Sequence, residues 1–279
     1  MSNRTFLKAL RKNGNALAGA AGVGIILCLG LFAPLIAPFP AGYTIEVLQP
    51  PSTSHFFGTD KLGLDVFAQI IWGARTSLQV SLIAVAVSGF IGIPLGLVSG
   101  YFNGKAGAAI DLAIEVFLTL PVLALMIVAA AALGASITAV AVLIGLFAWP
   151  SLARVCRNTT LKVSQTSYIE AAKCSGLPVA SILFKHILAN IIGPVIVNLT
   201  MAMAGAILSE SGLSFLGLGD PATWSWGLIL KKAWEAGAVL ASPNPWWWWL
   251  FPSLFIMIYV VSFNLLGNGI NDALNPKGQ

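Results

Sequence analysis

Long apolar runs separated by short polar stretches make up most of the chain. The runs are continuous rather than alternating, which predicts helices and not the strands of a barrel. A helix needs roughly 20 apolar residues to cross a bilayer. Six runs meet that length. The first covers residues 16–37 and is stopped by Pro38 and Pro40. A signal-peptide core would be shorter, at roughly 7–15 residues. The others are predicted at about 77–101, 110–134, 137–155, 187–208 and 246–266. The pattern therefore predicts an all-α integral membrane protein with six transmembrane helices and both termini cytoplasmic. Its parts are a cytoplasmic N-terminus (1–14), a first helix with an external segment (15–76), a five-helix core (77–268) and a cytoplasmic tail (269–279). The core contains a cytoplasmic loop at 154–186 and a second external segment at 209–245.

Composition agrees with this class. The chain has 279 residues, 57% of them hydrophobic and 9% charged, whereas a soluble domain carries about 25% charged residues. The net charge of +5 does not point to nucleic acid, because the cations are scattered over short loops. Their sidedness explains them. Arg4, Lys8, Arg11, Lys12, Lys105, the five cations of the 154–186 loop and Lys277 fall on the predicted inside. Only Lys61, Arg75, Lys231 and Lys232 fall outside, which fits the positive-inside bias. Cys28, Cys156 and Cys174 suggest no disulfide pair and show no metal-ligand spacing.

The longest polar island between the apolar runs, 154–186, also looks folded. Tyr168, Ala171, Ala172 and Ser175 recur at i, i+3, i+4, i+7, giving one small, smooth helical face. Gly176 suits a left-handed C-terminal cap, and Pro178 suits the first turn of a following helix. Val179, Ile182 and Leu183 give that second helix an apolar stripe. Glu170 is the island's only acid, among Arg154, Arg157, Lys162, Lys173 and Lys185.

Other positions are informative in context. Gly92, Gly96 and Gly100 share one face of the second span, where small residues let helices approach closely. The pattern leaves open whether they pack within this chain or against a partner. Pro94 and Gly193-Pro194 mark expected bends, and Pro121 an expected break. Asp111 and Glu115 share a face at the inner edge of the third span, where a solvated first turn accounts for them. Trp224, Trp226 and Trp234 suit an interfacial or re-entrant element, with the lining of a substrate path as the alternative. Trp246 to Trp249 read as an aromatic belt.

Glu170-Ala171-Ala172, then Gly176, then Ile187-Leu188, resembles the EAA loop of ABC-importer permeases. The stretches FGTDKLGLDVFAQIIWGARTSL, Ser214-Phe215-Leu216-Gly217-Leu218-Gly219 and FNLLGNGINDALNPKGQ are similar to further segments of the dipeptide, oligopeptide and nickel permeases, in particular the C-type member of a two-permease pair. The chain departs from that pattern at Leu64, Gln69, Ala189, Asn268, Asn271 and Asn275. The resemblance implies a type I importer permease whose island is a coupling helix, with Tyr168, Glu170, Ala171, Ala172 and Gly176 at the ATPase contact. It also implies a second permease, two cytoplasmic ATP-binding subunits and an external substrate-binding protein as partners. ATP would be bound by the partner ATPases. The substrates it implies are di- or oligopeptides, with nickel, metal chelates or oligosaccharides as alternatives. A stand-alone channel or carrier is the reading from a different class.

The chemistry missing from the chain supports an accessory energy source. No G-x-x-x-x-G-K-[ST] phosphate loop is present. No Ser/His/Asp set is discernible, and His55 and His186 lack partners at metal-ligand spacing. The predicted span centres contain no ionisable residue, unlike proton-driven carriers. No catalytic residue, metal site or cofactor of the chain's own is expected.

Overall fold

The computed structural model describes residues 13–102, 104–134 and 136–274. The basic N-terminal residues, Asn103, Asn275 and Lys277 lie outside the described residues. Among the described residues, ten helical elements follow in order: α1 Gly14–Leu31, α2 Ala33–Ile36, α3 Val66–Tyr101, α4 Lys105–Thr119, α5 Val122–Leu133, α6 Ile137–Ser164, α7 Ser167–Cys174, α8 Val179–Phe215, α9 Trp226–Glu235 and α10 Trp246–Leu274. Among the described residues, five helices are long and apolar enough to cross a membrane. A sixth crossing is obtained if the bent pair α4–α5 counts as one.

Several helices outrun their predicted spans. Helix α3 starts at Val66, so the helical pattern that the sequence shows over 65–75 and the span predicted from about 77 form one continuous helix; the Asp65 carboxylate caps it, accepting from the backbone N–H groups of Phe67 at 2.7 Å and Ala68 at 3.3 Å. No breaker follows, and Pro94 is carried inside the helix. Its 36 residues amount to about 54 Å, well beyond the hydrocarbon thickness. Helix α6 runs on to Ser164, so Arg154, Arg157 and Lys162 belong to it and not to a loop. Helix α8 begins at Val179, includes a π-helical turn at Ile182–Ile187 and continues through Ala189. Alanine keeps the N–H that a proline would remove, so the helix need not break there. The third span does break: Pro121 holds Leu120 extended at ψ 145°, and α4 and α5 meet at 85°.

The glycine row resolves as packing within the chain. A side-chain Cβ at Gly92 would lie 2.8 Å from the carbonyl oxygen of Trp149, at Gly96 2.5 Å from that of Ala153, and at Gly100 2.6 Å from that of Arg157. Fourth residues on α3 thus meet fourth residues on α6, and the two backbones touch along their length. This seam is the centre of the bundle.

Contacts between helix ends set the topology. Asn13, the N-cap of α1, donates to the Asp272 carboxylate near the end of α10 at 3.0 Å. Leu274 reaches Gly193 in the first half of α8. The start of α1 and the end of α10 therefore lie at the same end of the bundle as the start of α8.

The opposite end is a cap made from residues 37–65, α9 and the start of α10. The expected tryptophan belt is largely this cap's interior. Trp224, Trp226, Trp247 and Trp248 are buried, and only Trp234 and Trp246 are exposed among the six tryptophans at issue that are described as buried or exposed. An indole is apolar except for one N–H, and irregular loops carry carbonyls that need donors. Trp224 donates to Pro40 at 3.0 Å, Trp226 to Ile70 at 3.0 Å and Trp247 to Thr59 at 3.1 Å. The two departures at this end are internal as well. Leu64 lies in the cap core. Gln69 donates at 2.7 Å to the buried Asp60 carboxylate, which also accepts the N–H groups of Leu62 and Leu64.

Candidate coupling site and solute path

Helix α7 has eight residues, too few to be stable alone in water. It is held from beneath and closed at its end. Ile169 is fully buried and Ala172 is 8% exposed. Both join a cluster with Leu97 of α3, Leu152 and Cys156 of α6, and Ile182 and Leu183 of α8. Lys173 places its ammonium 5.0 Å from the centre of the Tyr101 ring at the end of α3. The C-terminus closes as a Schellman motif. Gly176 N–H donates to Lys173 at 3.0 Å and Leu177 N–H to Ala172 at 3.3 Å, with Gly176 at φ 72°. A side chain there would meet nothing, so the left-handed backbone alone favours glycine.

The predicted site residues divide between two sides of this helix. Tyr168, Glu170 and Ala171 face outward, together with Lys173 and Ser175. Ala172 does not share their surface, because it points into the seat; a helix resting on α3, α6 and α8 must bury one side. Around it Arg154, Lys162 and Lys185 are exposed. The result is a small ledge with one carboxylate among several cations.

Near the ledge, Asp111 and Arg157 form an ion pair at 2.9 Å that joins α4 to α6. The sequence reading left Asp111 solvated. The two residues are 46 positions apart in number and α4 is short, so spacing alone gave no signal. Glu210 was likewise assigned to an external segment. It lies inside α8 and is 2% exposed. Its carboxylate accepts the hydroxyls of Ser214 at 2.6 Å and Ser211 at 3.4 Å, which offsets part of the cost of burying it.

Among the helices, α3, α6, α8 and the α4–α5 corner line a half-open cavity of about 420 Å³. Its polar groups are neutral: Ser88, Ser151, Asn198 and Ser209. Phe117 and Met126 supply much of the apolar wall. The sequence offers Trp224, Trp226 and Trp234 as an alternative path lining, and none of them lines this cavity. Asn198, an amide among apolar neighbours in the fifth run, was the available signal. Among the described residues, no group of three or more His, Cys, Asp or Glu is placed to hold a metal.

A helical membrane bundle that carries a short capped helix across the ends of three long ones defines a transporter permease of the type I ABC-importer fold. The chain belongs to the family of binding-protein-dependent transport system inner membrane components, whose profile matches residues 92–278. Residues 4–51 match the N-terminal TM domain of oligopeptide transport permease C. The dipeptide transport system permease protein DppC of Alkalihalophilus pseudofirmus is 35% identical over 277 residues, covering 98% of this chain and 90% of that protein. The glutathione transport system permease protein GsiD of Pectobacterium atrosepticum is 34% identical, covering 98% and 91%. A solved chain of the MetNI methionine ABC transporter in inward facing conformations superimposes with a TM-score of 0.56 at 18% identity. It covers 72% of this chain and 96% of that one, a likeness of fold alone. The protein is an inner-membrane transport component.

Proposed function

We propose that the chain is one of two permeases of an ATP-driven importer for di- or oligopeptides. The observation that carries this reading is α7: a rigidly capped helix, seated on three long helices, with Tyr168, Glu170 and Ala171 turned outward. Such a helix transmits force to the bundle because it cannot move without its seat. Its partners would be a second permease, two cytoplasmic ATPases that bind the ATP, and an external substrate-binding protein. The α7 end would face the cytoplasm, where the exposed cations fit the positive-inside bias. The chain would do no bond-breaking chemistry itself. The peptide assignment is supported by relatives named for dipeptide and glutathione transport. It is also supported by the neutral polar lining of the 420 Å³ cavity, which suits a zwitterion that must pass without being held.

Co-purification in mild detergent tests the reading. The wild type should bring down an ATPase and a second permease. Glu170→Lys combined with Ala171→Arg should lose the ATPase and keep the permease. A wild-type chain that comes down alone and transports in liposomes free of other protein would overturn it in favour of a stand-alone carrier.

A further inference from the structure

A groove of about 250 Å³ lies between α1 and α3. Leu27 and Leu31 line it from α1, Leu78 and Leu82 from α3, and Met203 of α8 contributes from behind. Leu31 is 71% exposed and Leu82 65%, so the groove opens outward from the bundle. Arg75 stands at one mouth with Gln79 beside it. Arg75, Leu78, Gln79 and Leu82 follow i, i+3, i+4, i+7 and share one face of α3.

Arg75 calls for an anion. Among the described residues no carboxylate forms an ion pair with it, and its guanidinium lies 5.6 Å from the centre of the Trp72 ring. Trp72 donates its indole N–H to Ala37 at 3.2 Å and meets Phe39 edge-on at 5.0 Å. Trp72 lies beside the end of α1, where the apolar run stops at Pro38 and Pro40 and the chain leaves the hydrocarbon layer. Arg75 lies about one helical turn deeper, where a cation must find an anion or water. It also sits at the end away from α7, against the usual placement of cations.

We infer that this groove binds one glycerophospholipid, with its phosphate on the Arg75 guanidinium and an acyl chain along the four leucines. The planar guanidinium matches two phosphate oxygens at once, and the Gln79 amide supplies a further donor. From Arg75 to Leu82 the helix offers about 10 Å of apolar wall, enough for the upper part of an acyl chain. The assignment of this site to the outer leaflet, and the contrast with the usual placement of cations, rest on the orientation proposed above. The cation at one mouth and the apolar wall below it match the two parts of a phospholipid, and a second permease laid over the groove is the outcome that crosslinking would reveal.

Native mass spectrometry tests this on the chain purified with whatever subunits accompany it and released from palmitoyl-oleoyl phosphatidylglycerol nanodiscs. The wild type should retain one lipid under activation that strips the rest. Arg75→Gln should retain roughly tenfold less, as loss of a charge-assisted contact implies. Leu82→Trp, at an exposed position that leaves the charge intact, should also lose it by filling the groove. Lys61→Ala should behave as wild type. Equal retention by Arg75→Gln and wild type would overturn the site. So would efficient crosslinking from Leu82→Cys to a second permease in native membranes, or release of the lipid by inorganic phosphate alone. None of these readouts depends on transport.

Discussion

At the tryptophan-rich end, the indoles of Trp72, Trp224, Trp226 and Trp247 reach across to carbonyls of Ala37, Pro40, Ile70 and Thr59. At the other end, α7 rests on its seat through Ile169 and Ala172 and is closed by Gly176. The cap joins segments far apart in the chain with buried, directional donors. The ledge spends its few residues on exposure. The contrast teaches how one bundle combines an immobile end with a surface open to a partner. A buried hydrogen bond resists being pulled apart, because its groups would be left unpaired. A small apolar seat transmits movement by contact and leaves the outer face free.

Substitutions should separate the two ends, and the largest effect is expected at the seat. Ala172→Glu would put a carboxylate among Ile169, Ile182 and Leu183, at a local cost of about 2 kcal/mol or more. Transport should be abolished while membrane insertion and the cap persist, as followed by uptake and by protease protection. Full transport by this variant would remove the seat from the mechanism. Next comes the seam both ends share. Gly96→Val forces a side chain against the Ala153 carbonyl oxygen, 2.5 Å from the first added carbon, and overpacking of that kind costs about 1–3 kcal/mol. Thermal unfolding of the detergent-solubilised protein should shift down for the whole bundle rather than for one end. Gly176→Val retains the seat but strains a left-handed residue by about 1–2 kcal/mol. Transport should fall severalfold with the melting temperature little changed, and an unaltered rate would show that the cap geometry of α7 is dispensable.

At the cap, Trp226→Phe keeps one aromatic ring and removes the pyrrole ring with its N–H to Ile70, for a loss of about 1 kcal/mol from the hydrogen bond plus the cost of a small cavity at a fully buried position. Faster proteolysis of residues 37–65 is expected, with ATPase binding unaffected. The smallest effect concerns His55, whose Nε2 lies 2.7 Å from the Glu46 carboxylate and whose Nδ1 lies 3.1 Å from that of Asp65. The Glu46 hydrogen bond first, and then that of Asp65, raise its pKa above the ordinary 6.5. Protonated His55 can donate to both acids. The stabilisation is therefore complete below the ordinary value and is lost as pH rises through the raised one. Hydrogen exchange in residues 44–64, corrected for intrinsic rates, should speed up as pH rises above the ordinary 6.5 and through the raised value. His55→Gln should flatten that dependence; an unchanged profile in the variant would assign it to another group.

How much of this was legible before folding differs by residue. The helix–Gly–helix form of the coupling segment was readable, since Gly176 and Pro178 act through their own backbones. The side on which Ala172 lies was not, because a face of small residues fits a docking surface and a packed seat equally well. The tryptophans failed as a guide for a similar reason. An indole suits a membrane boundary and a buried loop core alike, and which of the two it enters depends on carbonyls more than a hundred residues away. His55 looked alone because both of its acids lie outside metal-ligand spacing, on a loop that folds back.

Periodicity and composition specify the class of this protein: apolar run length has no solution in a bilayer other than a spanning helix. They also place the short helix α7, whose turn residues act locally. Tertiary structure alone decided the rest. It set Gly92, Gly96 and Gly100 against α6, extended α8 to enclose Glu210, and left Arg75 facing a groove with no acid among the described residues paired to it. Those outcomes depend on which backbones approach each other, and close approach is a property of pairs of helices that neither member carries in its own sequence.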